Sequence, residues 1–222
     1  MIKGIIFDMD GTILNTIEDI KISVNHAMRH FNLKEKTLQE VKDGVGSGAV
    51  NLIEDIVPKG TSKEDIFKIY RVYQDHYDKH SNDHTGPYPG ILDLLKHLKD
   101  AGYKLAVVSN KLEYLVQELN HQTFKDYFDV SIGETKDIPI KPAPDMLYKA
   151  LNLLNLSKDE VLFIGDSDVD MMTATNANIK SVGVTWGYRS KEVLLKHKAS
   201  YIINQADELI KIINEVNSYG ND

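Results

Sequence analysis

Ile5-Ile6-Phe7-Asp8-Met9-Asp10-Gly11-Thr12 is the stretch whose reading decides the fold. Its apolar run shows no alternation, which predicts a strand buried on both faces, as in parallel sheets. Two carboxylates two residues apart point the same way if the chain stays extended, and Gly11 then permits a sharp turn. Acids at the carboxyl end of a central strand stand where open α/β sheets place their ligand sites. Such a pair repels itself unless it shares a cation or one member holds a proton. An acidic turn after a strand has the same local pattern, so the later stretches decide between the two.

Working outward, apolar residues at Ile17, Ile20, Val24, Ala27, Met28 and Phe31 form a helical stripe. Leu38 to Val41 leads into the glycine-rich Gly44-Val45-Gly46-Ser47-Gly48, and Ala49 to Val57 is helical again. Thr61 or Ser62 can cap a further helix that runs through Tyr70, Tyr73 and Tyr77 toward Asn82. Residues 16–82 therefore read as all-helical. Pro87, Pro89 and Gly90 mark a boundary, after which the pattern alternates. Strands are expected at Leu105–Val108, Phe128–Ile132, Val161–Ile164, Ser181–Thr185 and Tyr201–Ile203. Helices are expected at Ile91–Ala101, Leu112–Leu119, Met146–Leu154, Met171–Ala177 and Leu209–Val216. Alternation of this kind implies βαβ units and a mainly parallel sheet, which the opening strand must join. The predicted fold is α/β: a core of residues 1–15 plus 83–222 with a Rossmann-like, mainly parallel sheet, and an inserted helical domain at 16–82.

The 222 residues suffice for a packed core, and 42% apolar with 27% charged residues are ordinary globular values. A net charge of −7 leaves no basic footprint for nucleic acid, so an anionic substrate needs a local positive pocket or a metal. Without cysteine there are no disulfides, thiolate metal sites or thiol catalysis. No leader and no membrane-spanning run is visible, and a soluble cytoplasmic protein, monomer or homodimer, is the expectation.

Four places carry polar residues after strands or strand-like segments: Asp8 and Asp10; Ser109 and Asn110; Lys141; and Asp166 to Asp170. In a parallel sheet such ends converge on one edge. Taken singly, Ser109 reads as an N-cap, Lys141 as a solvated lysine, and Asp166 and Asp170 as acids at a helix N-terminus. Taken together, with complementary charges, they read as a site.

Asp8-Met9-Asp10-Gly11-Thr12, Ser109, Lys141-Pro142-Ala143-Pro144-Asp145 and Gly165-Asp166-Ser167-Asp168-Val169-Asp170 resemble, in order, the four motifs of the haloacid dehalogenase superfamily. The resemblance covers essentially the whole chain, with the helical insert where that family carries its cap. It implies a phosphohydrolase. Phosphate-monoester hydrolysis needs a nucleophile, charge neutralisation at the phosphoryl oxygens and a proton for the leaving group. The resemblance makes Asp8 the nucleophile, forming an aspartyl-phosphate, and Asp10 the acid and base. It places Mg²⁺ on Asp8, the Asp10 carbonyl and Asp166, with support from Asp170. Ser109 and Asn110, with Gly11 and Thr12, are expected to hold the phosphoryl group, and Lys141 to supply positive charge. A dehalogenase needs neither the second acid nor the metal, so Asp10 favours phosphoryl chemistry.

Substrate choice is expected to lie with Gly46, Ser47 and Gly48. Their loop resembles the cap loop of phosphoglycolate phosphatases, as does Gly183-Val184-Thr185-Trp186-Gly187-Tyr188-Arg189. Phosphoglycolate is the expected substrate. Pyrophosphatases of the same subfamily share much of the pattern. The arginine with which β-phosphoglucomutases grip a second phosphate has no counterpart in Ser47-Gly48-Ala49. Asn15 stands where relatives usually carry aspartate, which weakens any transfer of detailed specificity. A phosphate-binding protein without catalysis is the reading from another class, but it has no need of both acids. His76, His80 and His84 could suggest zinc, yet the tyrosine stripe is expected to pack inward and leave them solvated. Lys111 reads equally as a phosphate contact or a surface lysine, and Trp186 as a pocket or a packing residue.

Overall fold

The structure, a computed structural model, describes residues 1–125 and 127–218. The chain enters through β1 (Gly4–Phe7), turns at the acids, and forms a short β2 (Leu14–Asn15). Four helices follow: α1 (Ile17–His30), α2 (Leu38–Gly44), α3 (Ala49–Ile56) and α4 (Lys63–His80). The chain returns through β3 (Gly86–Pro87), which pairs antiparallel with β2. This two-strand ribbon is the doorway through which the helical cap is inserted.

The core then runs through α5 (Ile91–Asp100), β4 (Lys104–Leu112), α6 (Glu113–Leu119), β5 (Val130–Glu134), α7 (Asp145–Leu154) and β6 (Val161–Gly165). It ends with α8 (Asp168–Ala177), β7 (Lys180–Val184), α9 (Lys191–Lys196), β8 (Tyr201–Ile203) and α10 (Glu208–Ser218). The six-stranded sheet has the order β5-β4-β1-β6-β7-β8, and every pairing is parallel. β1 lies between β4 and β6, as its two-sided apolar pattern requires. Ile5 and Phe7 join the cluster that includes Leu95 and Leu209, while Ile6 joins Met146 and Phe163 on the opposite face. Adjacent side chains thus fill opposite layers, which follows from the period of two along a strand.

Caps explain several helix starts. Thr37 and Glu40 form a capping box at α2, Ser62 caps α4, and Ser167 with Asp170 forms a box at α8. The cap has its own apolar cluster, built on Val24, Met28, Val41, Ile53, Tyr73 and Tyr77 and closed against Leu115 and Tyr188 of the core.

Some sequence expectations need correction. β4 does not end at Val108; it continues to Leu112 after a register shift against β5, so Ser109 and Asn110 lie in an irregular strand segment rather than after one. The strand expected at 128–132 begins two residues later, at Val130. α8 starts at Asp168 because Ser167 caps it. Lys141 sits in a loop and follows no strand. α9, which has only six residues, was not anticipated. Among the described residues, no helix is long and apolar enough to cross a membrane.

Candidate active site

Parallel pairing of β1, β4 and β6 brings the predicted residues to one edge of the sheet. Asp8 follows β1, Asp166 follows β6, and Asp170 lies in the first turn of α8. One carboxylate oxygen from each of the three lies within 4.8 Å of the others, and all three residues are buried. Lys141 comes from the loop before α7, and its Nζ donates to Asp8 Oδ1 and Asp170 Oδ1, both at 2.7 Å. Three carboxylates against one ammonium leave two negative charges in a buried cluster, which is what a divalent cation neutralises. Oxygen donors of this kind suit a hard cation.

Electrostatics agrees with that count. Burial, then the Asp170 charge, holds the Asp8 carboxyl well above the usual range, against the opposing pull of Lys141. Burial and Asp170 raise Asp166 to about 7, against the Tyr188 backbone N–H bond and Lys141. Burial would lower the Lys141 ammonium, but Asp170 and Asp8 more than offset it and hold it above the lysine range. Asp170 is engaged on both sides: Oδ1 accepts from Lys141, and Oδ2 accepts from the Ser167 hydroxyl at 2.6 Å. It is therefore suited to support rather than to direct ligation.

Asp10 stands apart from this cluster and faces the cap. Its Oδ1 accepts from Thr16 Oγ1 at 2.8 Å, and its Oδ2 lies 3.1 Å from Lys111 Nζ. Its side chain is thus not one of the three converging acids. The Gly11 N–H donates to the Leu14 carbonyl and the Thr12 N–H to that of Met9, so both amides are engaged in the turn. Thr12 Oγ1 donates to Asp166 at 3.3 Å, which makes Thr12 a prop for the acid. Gly11 has φ of +85°, and a Cβ there would meet Asp166 Oδ2 at 2.3 Å, so both conformation and space require glycine.

Ser109 is buried at the site and accepts from the Lys111 amide; it caps no helix. Asn110 spans core and cap: its side-chain amide donates to the Gly46 and Lys141 carbonyls at 2.9 Å, and its Oδ1 accepts from the Lys141 N–H at 2.8 Å. Gly46 and Gly48 line the cavity, whereas Ser47 contributes its carbonyl to Asn51.

Other residues depart from their sequence reading. Lys111 is buried, not a surface lysine; besides Asp10, it donates to Tyr77 Oη at 2.7 Å. Tyr73 and Tyr77 pack in the cap as expected but also line the cavity. Trp186 packs against Tyr88 and donates to the Thr12 carbonyl. His76 and His80 stack at 4.4 Å, and α4 ends before His84.

The stretch after β7 holds contacts that the sequence left unassigned. The Tyr188 N–H donates to Asp166 at 2.7 Å, and its hydroxyl lies 3.0 Å from Thr16 Oγ1. A Cβ at Gly187 would lie 2.2 Å from Asp166 Cβ, so the chain passes directly over that acid. Arg189 pairs with Asp168 and donates to the carbonyls of Lys42, Asp43 and Val45 in the cap. The clustering of Trp, Gly, Tyr and Arg immediately after a strand was the available signal.

Comparison with known proteins agrees with this geometry. The model for haloacid dehalogenase-like hydrolases matches residues 5–184. A phosphoglycolate phosphatase of Aquifex aeolicus is 30% identical over 96% of this chain and 97% of its own length. Pyrophosphatase PpaX of Bacillus mycoides is 27% identical over 97% of this chain and 99% of its own. A crystal structure from Lactobacillus delbrueckii subsp. bulgaricus, provisionally assigned as a phosphoglycolate phosphatase, superposes with a TM-score of 0.90 at 36% identity, covering 95% of this chain and 98% of that one. The family match over most of the sequence and a relative 30% identical along its whole length show that the chain belongs to the haloacid dehalogenase-like hydrolases, as a phosphatase of that family.

Proposed function

We propose that this phosphatase is Mg²⁺-dependent and hydrolyses a small phosphate monoester, 2-phosphoglycolate, through an aspartyl-phosphate on Asp8. The observation that carries the reading is the division of the acids: Asp8 with Lys141, Asp166 and Asp170 on one side, and Asp10, held by Thr16 and Lys111, toward the cap. One group can then attack while the other handles the proton of the leaving oxygen.

Asp8 attacks phosphorus as the ester P–O bond breaks, and Asp10 donates its proton to the departing oxygen. Water then gives a proton to Asp10 and attacks the acyl-phosphate, whose bond to Asp8 breaks to release phosphate. Ser109 and the Asn110 amide hold the phosphoryl oxygens. Lys141 balances the charge of Asp8. Mg²⁺ would be held by Asp8, the Asp10 carbonyl and Asp166, and supplies charge neutralisation at the phosphoryl group.

The cavity between cap and core has a volume of about 60 Å³. At roughly 10–15 Å³ per water, that is room for only a handful of solvent-sized groups. A small ester is in keeping with this space, and the lack of an arginine in Ser47-Gly48-Ala49 counts against a mutase. Pyrophosphate is equally small, and pyrophosphatase relatives keep it as the second reading.

The test is kcat/KM for phosphoglycolate, pyrophosphate and glucose 6-phosphate with Mg²⁺ and with chelator. Phosphoglycolate is expected first and the hexose phosphate last, with all rates abolished by chelator. Asp8→Asn is expected to lose at least about a thousandfold, on the scale of removing a nucleophile. Full activity in that variant, or an inert metal-replete protein, sinks the reading.

A further inference from the structure

The cavity carries two lysines, and they are not equivalent. Lys141 is locked between Asp8 and Asp170 on the metal side. Lys111 reaches from β4 toward the cap, with Nζ 2.7 Å from Tyr77 Oη, 4.6 Å from the centre of the Tyr77 ring and 3.1 Å from Asp10 Oδ2. Its side chain is only 5% exposed. A buried ammonium needs partners, and here they are one carboxylate, one phenol and an aromatic face.

Asp10 does not depend on Lys111 alone, because Thr16 Oγ1 holds its other oxygen at 2.8 Å. Lys111 can therefore turn to a substrate group while Asp10 stays in place. Where that group lies follows from the chemistry. Asp10 must reach the leaving oxygen within a hydrogen bond, so Lys111, one contact beyond Asp10, adjoins the far end of the leaving group. Besides the uncharged polar groups of Tyr73, Gln74 and Tyr188, the cavity lining from the cap is apolar, with Ile20, Val45, Ala49 and Leu52. A charge placed there meets a single cation.

We infer that Lys111 is the specificity determinant that binds a second anionic group on the substrate's leaving portion, a carboxylate or a phosphate, one or two bonds from the ester oxygen. The inference rests on the phosphatase reading above and narrows it to substrates with an anionic leaving group. Tyr77 aims the ammonium, and the short reach of the lysine from Asp10 sets the length of substrate accepted.

The test compares phosphoglycolate and pyrophosphate with 2-hydroxyethyl phosphate, a neutral isostere of phosphoglycolate whose alkoxide still needs a proton from Asp10. Wild-type protein with Mg²⁺ is expected to prefer at least one of the anionic pair by about thirtyfold in kcat/KM, the value of one hydrogen bond to a charged group. Which member is preferred identifies the anion. Lys111→Met should erase that preference mainly through KM, lowering kcat/KM for the anionic substrates at least about tenfold more than for the neutral ester, and Lys111→Arg should restore part of it. An equal fall on all three substrates would mean that Lys111 only positions Asp10, and would overturn the inference. So would a wild-type ratio near one, a measurement that needs no variant to fold. Wild-type protein inert toward every ester would instead sink the phosphatase reading itself.

Discussion

Lys141 lies with its side chain 2% exposed between Asp8 and Asp170, and its value comes from what it neutralises. Removing one partner from a buried charge cluster typically costs about 3–5 kcal/mol, because the remaining charges stay buried without compensation. Lys141→Met is therefore expected to lower the urea midpoint of the chelator-treated protein, and by more at pH 8 than at pH 5, where the acids can take up protons instead. Equal losses at the two pH values would show that packing, not charge, is at stake. Sequence reading placed Lys141 in the site but could not show the double contact. The partner acids lie 133 and 29 residues away. Lys111 shows the converse. Nothing local distinguishes it from a surface lysine; Tyr77 of α4 and Asp10 after β1 enclose it.

At the scale of elements, the cap is tied to the core by a few polar contacts. Arg189 grips the carboxyl end of α2, where the carbonyls of Lys42, Asp43 and Val45 lack helical partners and favour a cation. Asn110 holds the Gly46 carbonyl of the following loop. Arg189→Ala is expected to speed amide exchange across residues 41–48 and to raise KM about tenfold, with kcat changed much less. Unchanged exchange in that loop would remove Arg189 from cap positioning. These helices were legible from spacing and capping residues: Ser62 and the apolar stripe of α1 act locally. The continuation of β4 through Ser109 to Leu112 was not, since it depends on a shifted register against β5.

The molecule as a whole couples its stability to protons and metal. Asp166 is raised from 3.8 to about 7, and Asp8 is raised in the same direction by burial first and Asp170 second. A carboxyl with a raised pKa in the folded state binds its proton more tightly there than in the unfolded chain. Its contribution is fully present below about pH 4 and is lost as pH rises through about 7. Chelator-treated protein is therefore expected to lose stability between pH 5 and 8 through these groups, and Mg²⁺, which replaces the protons, should flatten the decline. Thermal melting across that range with and without Mg²⁺ tests it; parallel curves would exclude a metal at the triad. The sequence by itself determined the alternation of strands and helices, the helical insertion and the acids at the ends of β1 and β6, because periodicity and capping are local. The tertiary structure alone decided that Asp10 faces away from the triad and toward Lys111, and that Tyr188 and Arg189 join the β7 edge to Asp166 and the cap. Those are contacts between residues far apart in the chain, set by how the cap closes on the sheet edge, and no local pattern encodes them.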